Sequence, residues 1–305
     1  MADSHTERLQ RARISMEGLS VGDALGGFFE FQTTGALLAV ARVAPRARPW
    51  HYTDDTCMAL SIYENLRLHE RIDPDALGKS FGDHYERGRG YGASMHMVLP
   101  RLAKGADWRT YNTSLFPGGS FGNGGPMKIA PLGAYYADDV PMLIEETERA
   151  TIVSHAHPES VAGSIAVAVA AAHAWNTRNG ASPEPEAFMA HVLAHTPASE
   201  VHNGIATAQK LTLETPFDKV VTILGNGRRI SSMDSVPFVI WCAAHHLRSY
   251  EDAIWTTITA GGDVDTLCAM VGGIVACAVG VEAIPQMWRE AREPLPEWAT
   301  GERPS

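Results

Sequence analysis

Long runs of any one character are what this 305-residue sequence lacks. Its two most apolar stretches, Val161–Trp175 and Leu267–Val281, run about 15 residues each. That is short of the roughly 20 needed to cross a bilayer. Ser164 and His173 interrupt the first, and Gly272, Gly273 and Gly280 the second. Both read as helices buried on all sides within an α-domain, and no membrane association is expected. Lys/Arg runs are absent and the formal net charge is -10, which argues against general nucleic-acid binding by phosphate neutralisation. Cysteine is scarce: Cys57, Cys242, Cys268 and Cys277 have neither paired nor zinc-like spacing. They read as reduced, buried thiols of a cytoplasmic protein. Met1–Arg13 mixes charges of both signs without an apolar h-region, so no secretory signal is visible. No run alternates apolar and polar residues long enough for a strand. With 45% hydrophobic residues the chain can still bury a sizeable core. The expectation is one all-α domain.

What is present is oxygen in clusters. Gly261-Gly262-Asp263-Val264-Asp265-Thr266 sets two carboxylates two residues apart, follows them with a hydroxyl and precedes them with two glycines. In extended backbone Asp263 and Asp265 point to one side. Carboxylates and hydroxyls without sulfur or imidazole suit a hard cation such as Mg2+. One such cluster is half a site. Thr53-Asp54-Asp55-Thr56 opens a helix through Met58, Leu60, Ile62 and Leu66, with Thr53 as N-cap. Its acids suit a helix start, and they also suit the second half of the same cation site.

Around these two clusters the chain reads as helices and punctuation. Glu7–Leu19 is a first amphipathic helix, and Gly22–Glu30 is a small-residue turn that leaves Glu30 on the surface or turned to chemistry. Residues 33–50 look like a loop. Asp73-Pro74 starts a helix, with the acid at N-cap and proline at N1, and Arg87–Gly92 ends it. Five glycines fall within residues 118–125, interleaved with Phe121 and preceded by Phe116. Such a loop can form a nest of N–H groups for a phosphate, particularly with a helix starting after Pro126. His155 and His157 lack the partners for a zinc set, and His155 reads as a hydrogen-bonding or capping residue. Gly225-Asn226-Gly227 is a turn. The core is expected over about residues 7–284, with 285–305 a peripheral Pro- and Glu-rich tail.

Taken jointly, Gly22-Asp23-Ala24-Leu25-Gly26, Thr53-Asp54-Asp55-Thr56, Gly122-Asn123-Gly124-Gly125-Pro126-Met127-Lys128 and Gly261–Thr266 resemble the ADP-ribosylglycohydrolase family. The resemblance implies a single compact orthogonal helical domain with two Mg2+ (or Mn2+) ions in a cleft. It also implies hydrolysis of the bond between C1″ of ADP-ribose and an acceptor. Substrates would be ADP-ribosylated protein, polymer or small-molecule conjugates, with ADP-ribose as product. The chain looks most like the ADP-ribosylhydrolase 3 branch, which acts on serine-linked ADP-ribose and poly(ADP-ribose). By that likeness Thr53, Asp54, Asp55, Asp263, Asp265 and Thr266 hold the metals. Glu30 stands at or near one metal and acts as the catalytic acid–base, being the one motif acid outside that set. Gly92, Phe116, Gly118, Gly119, Ser120, Phe121, Gly122, Asn123, Gly124, His155 and Arg228 bind substrate, His155 at the diphosphate or nearby ribose. Val264 and Arg228 depart from the branch pattern, Arg228 on the adenine side. An arginine-specific hydrolase of the dinitrogenase reductase-activating type and a non-catalytic ADP-ribose-binding protein are the alternatives.

Overall fold

Gly18, Gly22 and Gly26 stand four residues apart, a spacing that puts them on one stripe of a helix. A computed structural model describes residues 4–30 and 41–301 of the chain and shows what the stripe is for. In chain order its helices are α1 (His5–Glu30), α2 (Asp54–His69), α3 (Pro74–Asp83), α4 (Ala93–Leu102), α5 (Trp108–Ser114), α6 (Ala130–Tyr135), α7 (Val140–Thr151) and α8 (Pro158–Thr177). Then follow α9 (Pro185–His195), α10 (Glu200–Ala208), α11 (Phe217–Leu224), α12 (Ser232–His245), α13 (Tyr250–Ala260), α14 (Val264–Val279), α15 (Gln286–Ala291) and α16 (Glu297–Thr300). Among the described residues there is no strand, only an isolated bridge between Trp50 and Arg292. The all-α expectation holds.

The turn expected at 22–30 does not form, because α1 runs unbroken to Glu30. Its glycines meet another backbone. A Cβ on Gly18 would lie 2.4 Å from the Gly272 carbonyl oxygen, one on Gly22 2.2 Å from that of Cys268, and one on Gly26 2.7 Å from that of Val264. As the α1 numbers rise the α14 numbers fall, so the two helices are antiparallel. The Tyr250 hydroxyl adds a 2.6 Å hydrogen bond to the Gly18 carbonyl. The consequence is positional: the C-terminal end of α1, with Glu30, lies beside the first turn of α14, with Asp265.

The rest of the core is built onto this pair. The two apolar stretches are buried as expected, α8 through Ala162–Ala172 and α14 along nearly its whole length. No described helix is long and apolar enough to span a membrane. The four cysteines are buried and unpaired. Asp73 caps α3 as read, its carboxylate accepting from the Asp75 and Ala76 N–H groups. After Pro126 the chain makes a 3₁₀ turn, Pro126–Lys128, before α6, so no long helix starts at the glycine-rich loop. Of the loop expected at 33–50, residues 33–40 fall outside the described residues, and 41–50 contain no helix.

The expected peripheral tail packs into the body over its described part, 285–301. Trp288, Ala291 and Ala299 are buried. Trp288 meets Trp255 edge-on, and Trp255 meets Phe29 in the same way. Glu293 pairs with Arg89 and accepts from the Tyr52 N–H, while Arg292 reaches Glu17 at 2.9 Å. A polar average concealed a few large apolar side chains, and the aromatic contacts hold the segment down.

Two glycines of α1 separate close packing from simple flexibility. Gly22→Ala forces a Cβ into the Cys268 carbonyl and is expected to cost about 3 kcal/mol or more, as overpacking of a rigid contact does. At Gly27 a Cβ would meet the Thr53 methyl at 3.4 Å and the Asp265 Cβ at 3.8 Å, ordinary contacts with side chains. Gly27→Ala should be neutral or stabilising by up to about 1 kcal/mol, the helix-propensity gain. Urea midpoints of the two variants check the contrast.

Candidate metal centre and substrate cleft

Two helix starts and one helix end converge here. α2 begins after Thr53 and α14 after Asp263, and the positive end of each helix dipole favours negative charge. α1 ends between them at Glu30. The packing sorts the acids into two groups of three whose ligand atoms all lie within 4.8 Å of one another, Asp23–Asp55–Asp265 and Glu30–Asp263–Asp265. Asp265 belongs to both. The Thr53 hydroxyl stands 2.9 Å from an Asp55 oxygen, and that of Thr266 reaches the same oxygen at 3.3 Å. Asn123 donates to Asp263 at 2.5 Å and to Ser235 at 3.0 Å, tying the glycine-rich loop to the acids.

Asp23 is the member that sequence reading missed, although it lies inside a quoted motif. It is fully buried and accepts from the N–H and hydroxyl of both Thr53 and Thr56. Its oxygens therefore lock the α2 start onto α1. Glu30 is thus not the one motif acid outside the expected metal set, but Asp23 is saturated by these donors and Glu30 is not. Asp54 falls outside both tight groups, with its N–H bonded to the Arg89 carbonyl and its carboxylate facing Gly90.

Charge without compensation dominates the electrostatics. Burial, with the Asp265 charge beside it, pushes Asp23 up to about 7, and the same causes raise Asp263 to about 7. Glu30 rises to about 9 through burial, then a hydrogen bond with Asp265 and its charge. Asp54 and Asp55 lie well above the usual carboxylate range for the same first causes, burial and Asp265. Glu30 Oε2 and Asp55 Oδ1 are sealed from solvent without a hydrogen-bond partner. Orphaned carboxylate oxygens in an all-oxygen donor set fit hard divalent cations.

The glycine-rich loop is tethered on its carbonyl side. Gly122 O accepts from Ser160 and Ser232 hydroxyls at 3.0 and 3.1 Å. Lys128 is fully buried, and its ammonium donates to the Gly124 and Gly125 carbonyls and, at 3.1 Å, to Ser154. Burial lowers this lysine to about 7, and the Asp54 and Asp55 charges pull it back up. Gly118 and Gly119 take positive φ, and a Cβ on Gly119 would strike the His157 N–H at 2.5 Å. Phe116 and Phe121 stay exposed, and Gly92 opens α4 with free space at its Cα. His157, not His155, caps α8. His155 is buried against Gly122 and Gly124. Arg228 lines an open cavity of about 390 Å³ with Phe29, Glu30, Ile230, Gly261 and Asp263. That places it beside Glu30.

Comparisons with known proteins agree with this architecture. The model of a family described as ADP-ribosylglycohydrolase matches residues 4–302. The chain is 27% identical to ADP-ribosylhydrolase ARH3 of Homo sapiens, across 93% of this chain and 90% of that protein. It is 25% identical to ADP-ribosylarginine hydrolase Tri1 of Serratia proteamaculans (strain 568), across 93% of this chain and 75% of that protein. A solved structure titled ADP-ribosylglycohydrolase-related protein complex shares the fold, with TM-score 0.68, 24% identity and 94% of each chain covered.

The raised carboxylates fix the sign of a pH effect. In the metal-free fold they keep protons that the unfolded chain has released, so they weaken stability as pH rises from about 4. Lys128 opposes this with a single proton. A divalent cation must displace the protons, so its affinity grows with pH. The rise in melting temperature on adding Mg2+ to chelator-treated protein should therefore be larger at pH 8.5 than at pH 6. Paired thermal melts across that range measure it.

Proposed function

Because the chain belongs to the ADP-ribosylglycohydrolase family and is a glycosidic-bond hydrolase, we propose that it removes ADP-ribose from oxygen-linked acceptors, of serine or poly(ADP-ribose) type, with two Mg2+ as cofactor. The observation that carries the reading is the convergence of Glu30 with Asp263 and Asp265 at the edge of an open cavity, with Asp265 shared by the second acid group. The four unpaired buried thiols suit the reducing cytoplasm.

The cations, which Mn2+ could replace, would be held by Thr53, Asp54, Asp55, Asp263, Asp265 and Thr266, and supply Lewis-acid polarisation of ribose hydroxyls and water. Glu30 does the proton work. Its half-buried carboxyl keeps a proton at neutral pH and delivers it to the acceptor oxygen as the C1″–O bond breaks. The water whose oxygen bonds C1″ returns a proton to the carboxylate. The loop 118–125 cradles the diphosphate with its backbone N–H groups, its carbonyls being engaged by Ser160, Ser232 and Lys128. Phe116 and Phe121, both exposed beside that loop, offer ring faces to the adenine.

The likeness to an ADP-ribosylarginine hydrolase raises arginine as a second acceptor. Arg228 opposes it, because its cation lines the Glu30 cavity, where a guanidinium acceptor would meet like charge. Serine-linked ADP-ribosyl peptide should therefore be cleaved faster than its arginine-linked counterpart, and the reverse order in side-by-side turnover would reject the oxygen-linked assignment. Glu30→Gln should lower kcat about 10²- to 10⁴-fold, the usual contribution of a positioned proton donor. Asp55→Ala should abolish the Mg2+-binding heat in calorimetry.

A further inference from the structure

We propose that Lys128 and Ser154 form a relay that holds His155 as its Nε2–H tautomer, so that this buried ring presents a fixed donor to an anionic ligand oxygen at the glycine-rich loop. The inference rests on the proposed function only for the identity of that ligand.

The donor inventory, taken with the partners in reach, fits one direction for each bond. A lysine ammonium has three N–H donors and no acceptor. Lys128 faces three acceptors, the Gly124 carbonyl, the Gly125 carbonyl at 3.4 Å and the Ser154 hydroxyl at 3.1 Å. Ser154 Oγ thus accepts a hydrogen bond from the ammonium, and its own O–H is left with one other neighbour among the described residues. That neighbour is His155 Nδ1 at 2.9 Å. Nδ1 accepts, so in the neutral ring Nε2 carries the proton. The ring is neutral because burial and the nearby Lys128 charge hold its pKa well below the usual value.

The location of Nε2 gives the tautomer a use. A Cβ on Gly124 would lie 2.7 Å from Nε2, and one on Gly122 3.3 Å from it, so the ring edge fits only against bare glycines. No hydrogen bond to Nε2 is formed among the described residues. His155 also lines a cavity of about 20 Å³ with Ser94, Met95, Phe116 and Ser120, room for about one water-sized group. Lys128 therefore acts twice without touching the ligand. It holds the loop carbonyls inward, and it sets which imidazole nitrogen donates. Both it and Ser154 are positioning residues.

Nitrogen-15 NMR of the full chain tests the relay, with the His155 signal identified by its disappearance in His155→Gln. Two-bond couplings should show Nε2–H in the wild type. Ser154→Ala should release the ring to a mixture of tautomers and weaken ADP-ribose binding about tenfold, the effect of one hydrogen bond to a charged group. KM should rise with kcat little changed and Mg2+ affinity intact. Ser154→Thr, which keeps the hydroxyl, should restore both readouts. An Nδ1–H ring in wild-type protein that binds ADP-ribose overturns the relay alone. So does a Ser154→Ala protein with unchanged tautomer and affinity. Absence of ADP-ribose binding by the wild type overturns the proposed function, and with it the ligand assigned to this donor.

Discussion

Contact between the backbones of α1 and α14 is the constraint on which the remaining structure depends. Three glycines at four-residue spacing remove the side chains that would hold the helices apart, and carbonyl oxygens of α14 fill the space. Interaxial separation of ordinary helices is set by side chains; here the pair closes until main chain touches main chain. Because the pair is antiparallel, the closing brings the end of one helix to the start of the other. Glu30 and Asp265 are neighbours for that reason, although 235 positions separate them in the sequence.

That contact places like charges together at an energetic cost. Acids from three helix termini share one buried pocket, with Lys128 as the buried cation near them. Protons or divalent cations must offset the repulsion and desolvation, and this is why the carboxylate pKa values are displaced upward together. Glu30 Oε2 and Asp55 Oδ1, buried without hydrogen-bond partners, are oxygens left open to a cation. Asp23 takes the opposite part: four donors from Thr53 and Thr56 satisfy it, and it serves as the rivet between α1 and α2.

Much of this was legible in the residues. The paired threonine–aspartate strings announced an oxygen-lined cation site, and the absence of alternation announced helices. Other features were not. The glycines of α1 were visible but read as a turn, because local spacing cannot distinguish a glycine needed for φ from one needed for close approach. Asp23 lay inside the string read as a turn and carried no signal of its own. Lys128 and Ser154 carry no spacing signal, since their partners lie in a loop and in the turn after α7. The tail after Pro285 was averaged as polar, although Trp288, Ala291 and Ala299 are buried.

The sequence by itself determined the chemistry available: hard oxygen ligands, a glycine-rich cradle, one histidine and one glutamate beside them. Residue type and short-range spacing decide such matters, because a helix start or a two-residue offset is local geometry. Only the tertiary structure decided which acids lie together, that Arg228 stands by Glu30, and which groups enclose His155. Those properties come from enclosure. Desolvation and hydrogen-bond direction depend on every group packed around an atom, and distant segments supply those groups only when the helices close.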